Sequence, residues 1–171
     1  GFRKRTEGTG DEPLLPMEEV ATPGIKTIAQ LASYLAIPSW QTAKAVFYTA
    51  TFADRAELVF AVIRGDYAIN ETKLRNYLKS IDLELASDEV VHRSGLVAGS
   101  ASPVGLKGVR VVVDDSIALS ANLVAGGNKP DVHLRNVNFP RDFQAEAVID
   151  IATARQGDPC PRCGEALRAQ R

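Results

Sequence analysis

Two apolar runs joined by a short polar connection constrain the fold more than any other feature of the sequence. They read "AKAVFYTATF" (43–52) and "ELVFAVIRGD" (57–66), and only "ADRA" lies between them. β-branched and aromatic residues dominate both runs, as they do in strands, and the short connection favours a pair of neighbouring strands. A third run, "VRVVVDD" (109–115), is apolar on both faces, which is typical of a strand inside a sheet. The chain is therefore predicted to contain a sheet that other elements cover.

The sequence also predicts helices, which would cover this sheet. "TIAQLASYLAI" (27–37) has apolar residues close to helical spacing, and Thr27 with Gln30 forms a capping-box signal at its start. Three more helices are predicted at "NETKLRNYLKS" (70–80), "SDEVVHRSG" (87–95) and "SIALSANLVAGG" (116–127), and three short strands at "LELA" (83–86), "DVHLRNVNF" (131–139) and "AVIDIA" (147–152). Because helices and strands are mixed without strict alternation, the predicted fold class is α/β, with a central mixed β-sheet flanked by helices.

Length and charge set further bounds. The chain has 171 residues, which is enough for one domain with a substantial core. We expect a disordered or flanking segment at 1–19, a folded domain at 20–154 and a terminal segment at 155–171, with both ends cut from a longer chain. The net charge of −1 argues against a broad basic face for nucleic acid, although contact with one nucleotide stays open. With no apolar run of 18 residues and no secretory signal, we expect a cytoplasmic protein without a membrane span.

The two cysteines do not predict a metal site in this chain. Cys160 and Cys163, in "CPRCG", resemble half of a zinc knuckle, but structural zinc needs four ligands and no second CxxC is present. Partner ligands from outside the chain stay open, and no cofactor is predicted. The sequence also has no GxSxG, HExxH or Walker motif, so no side chain is identified as a hydrolytic nucleophile.

The segment "GSASPVG" (99–105) is small, neutral and rich in glycine. It is either a plain connection between a helix and a central strand, or a lip at which a ligand approaches the main chain. Glycines permit that approach, and main-chain N–H groups can then hold a carbonyl or carboxylate oxygen. Pro103 stiffens the segment in both cases.

Three side chains are candidates for a site, each with a structural alternative. Lys44, among alanines at the start of a strand, directs its charge into a pocket or lies on the surface. Asp114 ends the central strand, where open α/β sheets place ligands; we expect one of the pair Asp114 and Asp115 to cap the next helix and the other to face a cleft. His133 lies on an alternating strand and is a pocket residue or a structural histidine.

The segments taken in order resemble the insertion (editing) domain of bacterial-type prolyl-tRNA synthetases, whose fold freestanding aminoacyl-tRNA deacylases share. The segments that carry this resemblance are "VATPGIKTIAQLASYL", "QTAKAVFY", "FAVIRGDYAINETKL", "SGLVAGSASPVGL", "VVVDDSIALSANLVAGGN" and "HLRNVNFPRDF". It implies hydrolysis by water of alanine wrongly attached to the tRNA for proline, and leaves open an assisting role for the free ribose hydroxyl. It also implies two partners, the acceptor end of that tRNA and the rest of the synthetase, toward which "GDPCPRCG" (157–164) would return.

The resemblance also implies roles for individual residues. Lys44 matches a lysine that holds the terminal adenosine and phosphate, Thr22 a threonine near the aminoacyl group, and His133 a histidine of the amino-acid pocket. The expected catalytic residues are Lys44, Gly99, Ser100 and Gly105, and the expected substrate-binding residues are Thr22, Ser102, Pro103, Asp114 and His133. Two alternatives remain at this stage: a freestanding trans-editing deacylase and a non-catalytic module that positions tRNA.

Overall fold

The computed structural model describes residues 13–94, 96, 101–105 and 108–153. In this part of the chain the elements are β1 (Glu18–Ala21), α1 (Ile28–Leu35), β2 (Ala43–Thr51), β3 (Ala56–Arg64), α2 (Glu71–Leu78), β4 (Asp82–Leu85), α3 (Asp88–Arg93), β5 (Arg110–Asp114), α4 (Asp115–Ala118), β6 (Leu123–Gly126), β7 (Val132–Val137) and β8 (Ala147–Ile149). A short 3₁₀ turn (Ser39–Gln41) leads into β2.

A five-stranded mixed sheet forms the centre of the fold, in the order β4-β2-β3-β5-β8. β2 is antiparallel to both β3 and β4, whereas β5 is parallel to β3 and to β8. The predicted pair of strands at 43–66 is confirmed, and β3 is fully buried from Val59 to Ile63. The sequence-based fold class, a central mixed sheet flanked by helices, is therefore confirmed.

A second, antiparallel sheet with the order β1-β7-β6 covers one face of the first sheet. The predicted helix over 116–127 is wrong, because only Asp115–Ala118 are helical and Leu123–Gly126 form β6. Asn122 separates the two elements with a φ of 53°, a left-handed conformation that a helix cannot contain. The short run that follows is buried at all four positions, and such a run is compatible with either a helix or a strand from sequence alone.

The two sheets enclose the main core, and β6 of the second sheet lies beside the start of β2. Phe47, Phe60 and Val113 of the five-stranded sheet and Leu134 of the other sheet belong to the same buried cluster. A parallel bridge joins Thr42 to Val124. Beyond this bridge β2 and β6 follow different sheets, and the space between them becomes the site described below.

The helix starts agree with the sequence signals. Thr27 and Gln30 form the predicted capping box of α1, and the Asn70 side chain accepts from Lys73 N at the start of α2. Ser87 caps α3 in the same manner. Gly95, the predicted end of α3, and the segment 155–171 lie outside the described residues.

The segment expected to flank the domain contributes to it. β1 begins at Glu18, and main-chain groups of residues 13–16 bond to the body of the domain. The Asn122 side chain donates to Pro13 O and accepts from Leu15 N, both at 3.0 Å. Ordered structure therefore begins before residue 20.

Candidate functional site

A cavity of about 530 Å³ opens along the first half of β2. Its floor is Ala43–Phe47, and its walls include Ala86 and Asp88 where β4 passes into α3, together with Ala101, Gly126 and His133. We call it the β2 cavity. Its volume lies within the range of small-molecule sites, and its lining combines small side chains such as Ala45 and Ala86 with larger ones such as Leu31 and Val91.

Lys44 is the positively charged residue within the Ala43–Phe47 floor of the β2 cavity. Its Nζ donates to the main-chain oxygen of Tyr67 at 2.7 Å, and the side chain is half-buried. Burial lowers the pKa of the Lys44 ammonium from its ordinary value, and the negative charge of Asp66 acts against this shift. Of the two positions considered for Lys44 from the sequence, in a pocket or on the surface, the pocket agrees better with the structure.

A buried ion pair shapes the turn that holds Lys44. Arg64 is fully buried and donates to both carboxylate oxygens of Asp66, at 2.6 and 2.7 Å, and its guanidinium lies over the ring of Tyr67. Gly65 between them leaves no space for a side chain, because a Cβ there would lie 1.8 Å from Thr42 Oγ1. Sequence reasoning missed this pair, although an arginine and an aspartate directly after an apolar strand were a usable signal.

His133 lines the same cavity as Lys44. It belongs to β7, between its partners Val20 of β1 and Gly126 of β6. Its Nδ1 shares a hydrogen bond of 2.5 Å with Thr22 Oγ1, and Thr22 is fully buried behind the ring. Burial lowers the pKa of His133, which favours the neutral imidazole. Thr22 therefore does not line the cavity but orients the histidine that does.

Of the described part of the 99–105 segment, only Ala101 lines the β2 cavity. Ser102 and Pro103 are buried, and Gly105 is exposed with a φ of 74°. Ser102 N donates to the Asn128 side chain rather than into the cavity. Ser102, Pro103 and Gly105 do not line the β2 cavity, and their roles at the substrate stay predictions. Gly99 and Ser100 lie outside the described residues.

Asn128 holds this segment in place. Its Oδ1 accepts from Ser102 N at 2.7 Å, and its Nδ2 donates to Ser102 O at 3.1 Å and to Val104 O at 2.9 Å. The backbone of Asn128 has a φ of 58°, which asparagine adopts more readily than most residues. Sequence reasoning missed this residue, and its position after the double glycine was the only signal.

Asp114 has a structural role and does not line the β2 cavity. It is fully buried, and it accepts from Ser116 N at 3.0 Å and from Ile151 N at 2.9 Å. It therefore caps α4 and connects the end of β5 to the segment after β8. The sequence analysis expected one aspartate at a cleft; the structure uses Asp114 as the cap, and Asp115 is not a cavity residue either.

Within the described residues, no group of three or more histidine, cysteine, aspartate or glutamate side chains could hold a metal ion. Cys160 and Cys163 lie outside that part. None of the described helices is both long and apolar enough to cross a membrane.

Comparison with known families supplies the classification. Residues 22–143 match the family model of the aminoacyl-tRNA editing domain. This chain belongs to that family. The matched range contains Lys44, His133, Thr22 and every other residue that forms the β2 cavity.

Curated relatives carry the editing domain as part of a longer protein. The chain is 50% identical over 170 residues to a proline–tRNA ligase of Dehalococcoides mccartyi, covering 99% of this chain and 29% of that protein. It is 46% identical over 164 residues to a proline–tRNA ligase of Salinispora tropica, covering 93% of this chain and 28% of that protein. The resemblance indicated by the sequence segments is thus confirmed, and the chain spans less than a third of these relatives.

Solved structures share the fold of the editing domain. A crystal structure of a hypothetical protein aligns with a TM-score of 0.69 and 20% identity, covering 81% of this chain and 93% of that chain. A candidate trans-editing enzyme for prolyl tRNA synthetase aligns with a TM-score of 0.63 and 20% identity, covering 81% and 87%. At this level of identity the likeness concerns the fold alone.

Proposed function

We propose that this editing domain belongs to a proline–tRNA ligase and hydrolyses the ester that joins alanine to the tRNA for proline. The similarity of nearly the whole chain to one segment of much longer ligases supports a domain that acts within the synthetase. Its partners are then the acceptor end of the mischarged tRNA and the remainder of the synthetase chain, in the cytoplasm. The near-neutral charge is consistent with this division, because the synthetase body would bind most of the tRNA.

The single observation that carries this proposal is the β2 cavity, whose lining includes a lysine, a neutral histidine and several small residues. We propose that the methyl group of alanine lies against Ala43, Ala45, Ala101 and Gly126. A synthetic site for proline discriminates poorly against a smaller amino acid, because missing methylenes cost only about 1 to 3 kcal/mol. A second site that accepts small acyl groups only supplies the remaining discrimination.

The reaction needs no cofactor. A water oxygen attacks the ester carbonyl carbon, and the bond to the ribose oxygen of the terminal adenosine breaks. The products are alanine and a free ribose hydroxyl, whose proton comes from the attacking water. The enzyme must polarise the carbonyl and position the water, which main-chain N–H groups and a nearby cation can do without a nucleophilic side chain.

Each cavity residue has a role in this proposal. The ammonium of Lys44, held by Tyr67 O, binds the negatively charged phosphate next to the terminal adenosine. His133, oriented by Thr22, borders the acyl group in its neutral form. The main chain of Gly99, Ser100 and Gly105 is proposed to surround the ester.

The decisive experiment measures release of radiolabelled alanine from alanyl-tRNA for proline. We expect Lys44→Ala to lower kcat/KM by about 10- to 100-fold, because the phosphate of the substrate loses a charge-assisted hydrogen bond. Lys129→Ala is the matched control, since that ammonium is exposed and pairs with Glu19 at the surface. Prolyl-tRNA should be hydrolysed slowly by all three proteins.

The outcomes separate the alternatives. Equal rates for wild type and Lys44→Ala would remove the role of the lysine. If no protein releases alanine, the domain is a non-catalytic module that positions tRNA. If the isolated domain matches the rate of the complete ligase, trans-editing as a freestanding factor becomes the better description.

A further inference from the structure

In the described part of the chain, β4 leaves the first half of β2 unpaired on the side of the β2 cavity. β4 pairs with β2 only from Tyr48, opposite Leu85, to Thr51, opposite Asp82. One more main-chain bond, from Ala86 N to Phe47 O at 3.0 Å, extends this contact before the chain turns into α3. At the other end, β6 lies beside the start of β2, and the one bridge between them joins Thr42, just before β2, to Val124.

The direction of each main-chain group along β2 follows from the bonds at its ends. Gly65 N donates to Thr42 O at 2.8 Å, whereas Arg64 N donates to Ser116 Oγ instead of to Ala43. In an antiparallel pair, residues alternate between those that bond to one neighbour and those that face the other. Even-numbered positions of β2 therefore bond to β3, and Ala45 directs both its N–H and its C=O away from β3, toward the cavity.

Among the described residues, neither neighbouring strand pairs with Ala45: β4 pairs with β2 only from Tyr48 to Thr51, and the bridge to β6 lies at Thr42. If β4 continued in register, position 88 would lie opposite Ala45, because Leu85 lies opposite Tyr48. Asp88 instead begins α3, and the place opposite Ala45 is cavity. The edge thus offers one donor and one acceptor, spaced to bond a single amino-acid unit.

We propose that the main chain of Ala45 binds the aminoacyl group of the substrate as a one-residue addition to the sheet. The N–H of Ala45 donates to the ester carbonyl oxygen, and the C=O of Ala45 accepts from the α-ammonium group. An aminoacyl ester carries these two groups in the same relation as a residue of an added strand, the arrangement by which sheet edges bind peptides. This inference rests on the proposed deacylase function.

The pairing also fixes where the acyl side chain lies. Side chains of directly opposed residues lie on the same face of an antiparallel pair. The side chains of Ala45, Ala43 and Ala101 pack against the same core cluster, so the acyl side chain lies on that face of β2, beside these small residues. Lys44 alternates to the opposite face, where Tyr67 O holds its ammonium, so the edge separates the acyl group from the cation. The main chain of Ala45 would bind the aminoacyl group of any amino acid, so discrimination between amino acids would come from the side chains that line the cavity.

The test replaces the Ala45 amide with an ester, by incorporating lactic acid at position 45. This change removes one N–H, keeps the methyl side chain and weakens Lys44 O as an acceptor. The same exchange at Thr49, with the hydroxy acid that matches threonine, is the control, because the main chain of Thr49 faces β4 in the paired part of β2. We expect the change at 45 to lower kcat/KM for alanyl-tRNA by about tenfold. The change at 49 should lower stability with kcat/KM within twofold of wild type.

A second measurement does not depend on catalysis. Amide hydrogen exchange of the 171-residue chain is followed with and without alanine joined to 3′-amino-3′-deoxyadenosine, an analogue that cannot be hydrolysed as an ester. The Ala45 N–H should exchange rapidly in the free protein and become protected with the analogue, while the Lys44 N–H is protected throughout. Unchanged exchange at Ala45, with wild-type kcat/KM for the ester at 45, would overturn the inference and leave the deacylase proposal intact. A wild-type protein that releases no alanine would reject the deacylase proposal. Protection of the Ala45 N–H by the analogue would still test whether Ala45 binds an aminoacyl group.

Discussion

Asn128 offers the sharpest test of how the cavity wall is held. Its carboxamide makes three main-chain hydrogen bonds to Ser102 and Val104, and Ser102 is fully buried. Each such bond contributes about 1 kcal/mol net, so removing the carboxamide should cost about 3 kcal/mol. Glycine is the appropriate replacement, because the φ of 58° at Asn128 strains most other residues.

The chain contains a matched control for Asn128→Gly. Asn136 has nearly the same backbone conformation, with a φ of 60°, but its side chain makes one exposed bond, to Pro16 O at 3.0 Å. The added flexibility of glycine in the unfolded chain is the same for both substitutions and cancels in their difference. We therefore expect Asn128→Gly to lose about 2 kcal/mol more than Asn136→Gly.

Urea unfolding measures this difference, followed by circular dichroism and by the fluorescence of Trp40, the single tryptophan. A difference below about 0.5 kcal/mol between the two variants would refute the argument that Asn128 holds the segment. Alanyl-tRNA hydrolysis should follow the same order, because Ala101 of this segment forms a wall of the β2 cavity. Asn128→Gly should then be less active than Asn136→Gly even at temperatures where both are folded.

Three further predictions concern buried charges and the histidine. Burial lowers the pKa of His133, so the unfolded chain binds a proton at this histidine more readily than the folded chain does. The free energy of unfolding should therefore fall as the pH drops below about 6.5. In His133→Gln this fall over about pH 5 to 7 should be smaller. Asp114→Asn should cost about 1 to 3 kcal/mol, since its oxygens accept from two buried N–H groups, yet KM should stay unchanged; a raised KM would restore its predicted substrate contact. Asp66→Asn should cost about 2 kcal/mol, because the Arg64 guanidinium loses the carboxylate that accepts two of its hydrogen bonds; a loss under about 0.5 kcal/mol in urea unfolding would contradict this.

Local patterns carried much of the fold. The two apolar runs around "ADRA" predicted the β2–β3 pair, and Thr27 and Asn70 predicted two helix starts, because these signals act between residues close in sequence. The missed strand β6 has no such local signal. Its four residues are buried on every side by tertiary packing, so their sequence does not alternate.

The site was predicted in part for the same reason. Lys44 and His133 do line one cavity, as the resemblance implied, but Asp114 does not, because its strand-end position serves two N–H groups of the fold. The bond between Asn128 and Ser102 joins positions 26 residues apart, and only the complete packing brings them together. Contacts of this kind cannot be read from spacing.

The position of the cavity follows from unequal strand lengths. β2 has nine residues, whereas β4 and β6 have four each. β4 pairs with the second half of β2 and the bridge to β6 lies just before its first residue, so neither strand pairs with Ala45 in the described part of the chain. β4 stops because Ser87 caps α3 by accepting from Val90 N, which turns the chain away from the sheet. An exposed edge of this kind normally invites aggregation, but here α3 and the wall at Ala101 enclose it. Ser87 therefore both ends β4 and prevents it from pairing with Ala45, and the proposed aminoacyl ligand would bind in the place left opposite Ala45.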